Sequence, residues 1–304
     1  MSNDIYKILD ERFERLYSSN AHLHRLYTGC RWAEGPAYFP AGRYLIWSDI
    51  PNNRMLRFDE CNGEVSNFRS PSNNSNGNTV DRQGRLVTCE HGGRRVSRTE
   101  HDGRIVCIAD RHDGKRLNSP NDVVVKSDGS IWFTDPTYGI DSDYEGDPAE
   151  SEIGASHVYR VDPQSDAIRI VADDFIKPNG LAFSPDEKKL YIADTGRTHG
   201  RHHPAHIRVF DVREDGTLRG GGVFADSTAG LFDGFRFDDA GRLWSSSAEG
   251  VHCFHPDGTL VGKVLVPEVV SNICFGGIKR NQLFICGTTS LYSLHLHVNG
   301  ARTF

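Results

Sequence analysis

The chain has 304 residues, and 41 Asp+Glu against 35 Lys+Arg leave a formal net charge of −6, which excludes a phosphate-backbone binder and so a nucleic-acid partner. Its 37% hydrophobic and 25% charged residues, with 31 glycines and 13 prolines, exclude disorder and collagen and indicate a turn-rich globular protein. No apolar run reaches the roughly 18 residues that cross a bilayer, and the start lacks an apolar signal segment, so a cytoplasmic protein without a membrane partner is expected; oligomeric state is not encoded at this level.

Residues 1–20 carry mixed charges at helical spacing and are expected to form a short surface helix. From residue 34 onward a unit of period-2 apolar runs, broken by Gly, Asp, Asn and Pro, recurs to the end. Its third copy is the clearest. Asn121-Asp122 opens Val123-Val124-Val125, Asp128-Gly129 makes a turn, Ile131–Asp135 follows, and after an insertion come His157–Val161 and Ala167–Val171. The copies open at residues 34, 76, 121, 179, 233 and 272, in steps of 42, 45, 58, 54 and 39 residues. Four-stranded propeller blades take about 40 to 50 residues. The fold class expected is therefore all-β: one six-bladed β-propeller over 1–304 with a central divalent-cation site. The sixth copy ends a strand short, near His297, and residues 21–30 are expected to complete the last blade. The long steps carry an acidic insertion, 139–156, and a His-, Arg- and Gly-rich one, 195–206. Insertions in repeats gather on one face, often the binding face.

In a propeller the innermost strands line a shared channel, so the residue that opens each copy points at one axis. Those residues are Glu34, Asn76, Asn121, Asn179, Asp233 and Asn272. All six offer a side-chain oxygen, and none offers sulfur or imidazole. Such donors suit Ca²⁺ or Mg²⁺ and suit zinc or copper poorly. Asn-Gly and Asp-Gly pairs are also ordinary turn formers, but here the hairpin turns fall elsewhere in the unit, and Glu34 and Asn121 occupy the same register without being such pairs.

Seven cysteines without a C-x-x-C pair argue against disulfides and a thiolate zinc site. Cys89, Cys107, Cys274 and Cys286 lie in strand-like runs and are expected to be small buried hydrophobes. His199, His202, His203 and His206 lack fixed spacing and fit a solvated loop. Cys89-Glu90-His91 brings a thiol, an acid and an imidazole together in sequence, but neighbours on a strand face opposite sides; a catalytic dyad is improbable, and His91 is left for the channel rim. No G-x-S-x-G, H-E-x-x-H, P-loop or strand-linked G-x-G-x-x-G is present.

The motifs Trp32-Ala33-Glu34-Gly35-Pro36, Ser119-Pro120-Asn121-Asp122-Val123, Lys177-Pro178-Asn179-Gly180-Leu181 and Asp233-Gly234-Phe235 resemble, in order and spacing, those of the gluconolactonase, senescence marker protein and luciferin-regenerating enzyme family. Within it the bacterial gluconolactonases are most similar, since they share Leu117–Asp122 followed by Trp132–Pro136. The resemblance implies metal-dependent hydrolysis of a sugar lactone, gluconolactone-like, to the open-chain acid. It implies one divalent cation, usually Ca²⁺, with Mg²⁺, Mn²⁺ or Zn²⁺ as substitutes, held by Glu34, Asn121, Asn179 and Asp233. Asn76 and Asn272 are then expected behind the ligands, or joined to the cation through water. The family also implies Asp233 as proton acceptor and donor, although a bound cation weakens a carboxylate as a base. Asp122 is the second candidate for that role. Animal members use an arginine two positions before the matching asparagine for substrate contact. Here that position is Ser119, so the sugar is expected to meet Asn118, Asn121, Asp122 or Tyr138. Two alternatives stay open: a metal-dependent phosphotriesterase or other esterase on the same scaffold, and a non-enzymatic binding module.

Overall fold

The computed structural model describes residues 5–302. The first five repeats each fold into an antiparallel four-stranded meander, the sixth supplies three strands of its blade, and six sheets surround a central channel. In chain order the innermost strands are Ala33–Phe39, Ser75–Val80, Val123–Val125, Pro178–Phe183, Phe235–Phe237 and Val270–Gly276. Hairpin turns join the strands as the sequence indicates: Gly129 sits at φ +87° and donates its N–H to the carbonyl of Lys126 at 2.9 Å. No helix among the described residues is long and apolar enough to cross a membrane.

The core lies between blades. Because alternate side chains of a strand face opposite sides, the second strand of the third blade, Ile131–Asp135, is buried on both faces. Trp132 packs toward the fourth blade with Leu181, Leu190 and Phe210, while Phe133 packs toward the second with Val87 and Val96. The strand is an apolar run for that reason, as sheets covered on both faces require.

Strand His24–Thr28 pairs antiparallel with Ser290–His295, as the outermost strand of the sixth blade. The expected N-terminal helix is a correction, and its residues 1–4 lie outside the described residues. Tyr6–Ile8 instead forms a fifth strand on the fifth blade, with Tyr6 opposite Val264 and Ile8 opposite Gly262. A single 3₁₀ turn follows over Glu11–Phe13, capped by the Asp10 carboxylate on the N–H of Arg12 at 2.9 Å. The reason is tertiary: strand Leu260–Leu265 would otherwise be an open edge, and its ladder groups outweigh a marginal isolated helix. The helical spacing has a second origin. Phe13 and Leu16 bury themselves on the fifth blade, Phe13 over the space left by the missing Cβ of Gly262 and 6.1 Å from Trp244. Phe13→Ala is expected to destabilise the protein by about 3–5 kcal/mol, seen as a lower urea midpoint at unchanged slope.

Candidate functional site

Three buried aspartates fix the loops that precede the channel. Asp49, Asp135 and Asp194 end the second strands of blades one, three and four, and all three are buried. Asp135 accepts the N–H groups of Asn118 and Ser119, both at 2.9 Å, and Asp194 those of Ile176 and Lys177, both at 3.0 Å. Asp49 accepts that of Arg31 at 2.9 Å and, more weakly, that of Trp32 at 3.5 Å. In each blade the donors lie three and two positions before the opening residue. Glu34, Asn121 and Asn179 therefore enter the channel from backbone pinned in the same way.

Close packing of neighbouring inner strands explains the glycine after most opening residues. A Cβ on Gly180 would lie 2.0 Å from the carbonyl oxygen of Asp233, and one on Gly35 equally close to that of Asn76. At the channel, Asn76-Gly77 and Asn179-Gly180 are thus sites where the next blade's backbone approaches, and Asp233-Gly234 one where the Asn272 side chain does, not turns.

Glu34, Asn76, Asn121, Asn179 and Asp233 line one cavity of about 210 Å³ at one end of the channel, with Trp32, Tyr138, Glu145, Thr195 and Thr198 around them. Both insertions reach this face, and His199 from the second meets Asp141 from the first at 3.0 Å. The histidine-rich stretch therefore ties two loops together. Asn272 stands behind Glu34: its Nδ2 donates to Glu34 Oε2 at 3.0 Å, and its Oδ1 accepts the N–H of Ile273. Gly35 N–H adds a second bond to Glu34 Oε2 at 2.6 Å, which leaves Oε1 for the cavity. Asn179 donates Nδ2 to Thr195 Oγ1 at 3.3 Å, so its amide oxygen is the atom left over. Tyr138 shares its hydroxyl with Thr195 and Thr198, at 2.7 and 2.8 Å.

Two expected substrate contacts stand elsewhere. Asn118 is fully buried and engaged with Asp135, Ala155 and Ser151. Asp122 does not line the cavity: Oδ1 accepts the N–H of Val123 at 2.9 Å, and Oδ2 lies 3.8 Å from Arg236. Ser119, at the family's arginine position, bonds Pro136 O at 2.7 Å and Gly139 N–H at 2.9 Å, anchoring the acidic insertion. Cys107 is exposed rather than buried, because its outer strand has no blade beyond it to cover that side.

Sequence reasoning missed Glu145, which comes from the acidic insertion and lines the cavity. Its Oε2 lies 3.6 Å from Nδ1 of His91. His91 is fully buried rather than at the rim, and its Nε2 is 3.2 Å from the amide nitrogen of Asn76. That amide donates, so the ring accepts at Nε2 and carries its proton on Nδ1, toward Glu145. Burial holds His91 down to a pKa of about 4 and so neutral. Insertions carry no periodic pattern, and only the acidic composition of this one pointed toward Glu145.

The electrostatics are those of crowded carboxylates. Burial first, and then the charges of Glu34, Asp122 and Glu145, push Asp233 well up; burial likewise raises Glu34. Burial, with a smaller contribution from Asp141, lifts Glu145 to about 7. The Oδ1 of Asn76 is buried without a hydrogen-bond partner among the described residues. Two facing carboxylates, amide oxygens turned inward and an orphaned acceptor fit a hard divalent cation. Glu34, Asn121, Asn179 and Asp233 are the side chains able to hold it, with Asn76 beyond. A group whose folded pKa is raised binds its proton more tightly folded than unfolded, so stability falls as pH rises past the unfolded value. In chelator the melting temperature is therefore expected to drop from about pH 5 to 8, Glu145 alone contributing on the order of 3 kcal/mol. Calcium at a hundredfold excess over its Kd is expected to restore about 2.7 kcal/mol, as calorimetry at both pH values would read.

The sequence profile described as the SMP-30/Gluconolactonase/LRE-like region matches residues 32–289. A gluconolactonase of Zymomonas mobilis is 30% identical over 298 residues, covering 90% of this chain and 81% of its own. The pentonolactonase XacC of Haloferax volcanii is 30% identical over 274 residues, 85% and 82% of the two chains. Among solved structures, a gluconolactonase from Xanthomonas campestris superposes with a TM-score of 0.90 at 41% identity, over 96% of this chain and 95% of that one.

Proposed function

The chain belongs to the SMP-30/Gluconolactonase/LRE-like family, and we propose that it hydrolyses a sugar lactone, gluconolactone-like, to the open-chain acid with one divalent cation in the channel. The observation that carries this reading is the cavity itself: it is lined by oxygen donors with two carboxylates, and by a third carboxylate, Glu145, from the acidic insertion. Calcium suits the donors best, with Mg²⁺, Mn²⁺ or Zn²⁺ as substitutes. When bound, the cation would supply Lewis-acid polarisation of the lactone carbonyl and charge to stabilise the developing oxyanion.

The chain's own residues do the rest. Glu145 takes a proton from the water that attacks the carbonyl carbon, and returns it to the ring oxygen as the C–O bond breaks. A carboxyl held near 7 suits both halves of that exchange. Asp233 serves as a ligand rather than as the base, since a neighbouring cation would favour its ionised, weakly basic form. Asp122 orders the inner strand. Tyr138, set by its two threonines, packs against the sugar, and Asn121 and Asn179 present amide oxygens at the cavity floor.

Ring opening releases acid, so a pH-stat assay of δ-gluconolactone tests the reading directly. Saturable turnover above the spontaneous rate is expected with calcium, lost in chelator and regained on adding the ion back. No turnover with calcium, magnesium, manganese or zinc would overturn it.

A further inference from the structure

The opposite end of the channel holds a second and larger cavity, of about 310 Å³. All six inner strands contribute to it, below the level of the oxygen ring. Its walls are apolar, with Val124, Phe183, Phe237 and Phe275 among them, and its charged lining residues among those described are Arg236, Arg280, Arg302 and Glu187. Glu187 is already engaged: it pairs with Arg82 at 3.1 Å and Lys126 at 3.6 Å, and accepts the N–H of Ser127 at 2.8 Å. Its charge is engaged by those partners, while Asp122 partly offsets Arg236 and Asp239 partly offsets Arg280. Burial first, and then the nearby charge of Arg302, disfavour the charged form of Arg280, with Asp239 opposing them. Arg236 is the deep one. It donates to the carbonyl of Phe235 at 2.7 Å, and its nearest carboxylate, Asp122, lies 3.8 Å away, beyond hydrogen-bond reach.

A concave apolar chamber with a few cations in its wall is the pattern of a small-ligand site. A guanidinium offers a planar fork that matches a carboxylate. We propose that this mouth of the channel binds a small monocarboxylate with an apolar body, its carboxylate on Arg236 and Arg280 and its apolar part against the phenylalanines. The single negative charge follows from Arg236, which Asp122 partly compensates. The enclosure by six strands favours a small molecule over a protein segment or a membrane. Nothing here depends on lactone hydrolysis, which takes place at the other end of the channel.

Titration calorimetry with octanoate, below its micellar range, tests this, with 1-octanol as the uncharged control. Saturable 1:1 binding of octanoate is expected, with octanol binding at least tenfold more weakly. Arg236→Met is expected to weaken octanoate tenfold or more and leave octanol unchanged. Because that variant strands the buried Asp122, Arg280→Gln at the rim provides the second reading, with a smaller loss for octanoate alone. The proposal is overturned if wild-type protein shows no saturable binding, or if octanol binds as well as octanoate. It is also overturned if both arginine variants bind octanoate normally, or if Asp233→Asn abolishes binding while they do not.

Discussion

Asp233→Asn is expected to lower kcat/KM for δ-gluconolactone by about two to three orders of magnitude, with cation affinity falling alongside. The substitution keeps the shape and an oxygen but removes one of the two charges that balance a divalent ion. The other, Glu34, is fixed by Asn272 and Gly35 and cannot turn to compensate. The variant is expected to fold, and in chelator to be more stable than wild type above neutral pH, because the charge that Glu34 and Glu145 oppose is gone. Calcium titration followed by calorimetry, beside the pH-stat rate, separates the two effects. A variant that binds calcium and turns over near normally would remove Asp233 both as a ligand of consequence and as the base.

Glu145→Gln is expected to cost about 10² to 10⁴ in kcat while leaving the protein able to bind calcium, since Glu34 and Asp233 both remain. The pH profile gives the sharper test. A base must be ionised, so wild-type kcat/KM is expected to fall as pH drops through the Glu145 pKa, raised by burial and by Asp141 toward about 7. The other groups facing it set the direction of further change. Glu34 and Asp233 raise this pKa when ionised, neutral His91 leaves it alone, and calcium in the channel moves the limb to lower pH. The limb is expected to vanish in Glu145→Gln. If it persists unchanged, the proton goes elsewhere, and Asp233 regains that role.

The propeller was legible because its repeat is written in strand register, and the donor ring because all six opening residues share one place in that register. Glycine at Gly77 and Gly180 suggested turns in isolation, and only the approach of the next blade gives it its reason. The pinning aspartates fall 14 or 15 positions after Glu34, Asn121 and Asn179, a spacing open to reading in the same way. Glu145 was not legible, because an insertion's path over a cavity has no periodic trace. Asn118 and Asp122 misled for a related reason: adjacency in sequence to a channel residue does not put a side chain in the channel, when successive residues of an extended chain face opposite ways. The N-terminal helix failed because an unpaired edge elsewhere in the molecule decided that segment's structure.

The last blade draws its outer strand from residues 24–28 and the rest from residues 270–295, and a hydroxyl pair joins Thr28 to Ser290 across 262 positions. A growing chain therefore keeps His24–Thr28 without its partner while the first five blades emerge. The ring can lock only when nearly all of it has been made. Closure of so long a loop is slow to find and costs little more than a shorter one once found, so five assembled blades await a late step that joins them into one cooperative unit. Substitutions in His24–Thr28 are then expected to act on the yield of folded protein well before they touch the chemistry of a cavity they do not line.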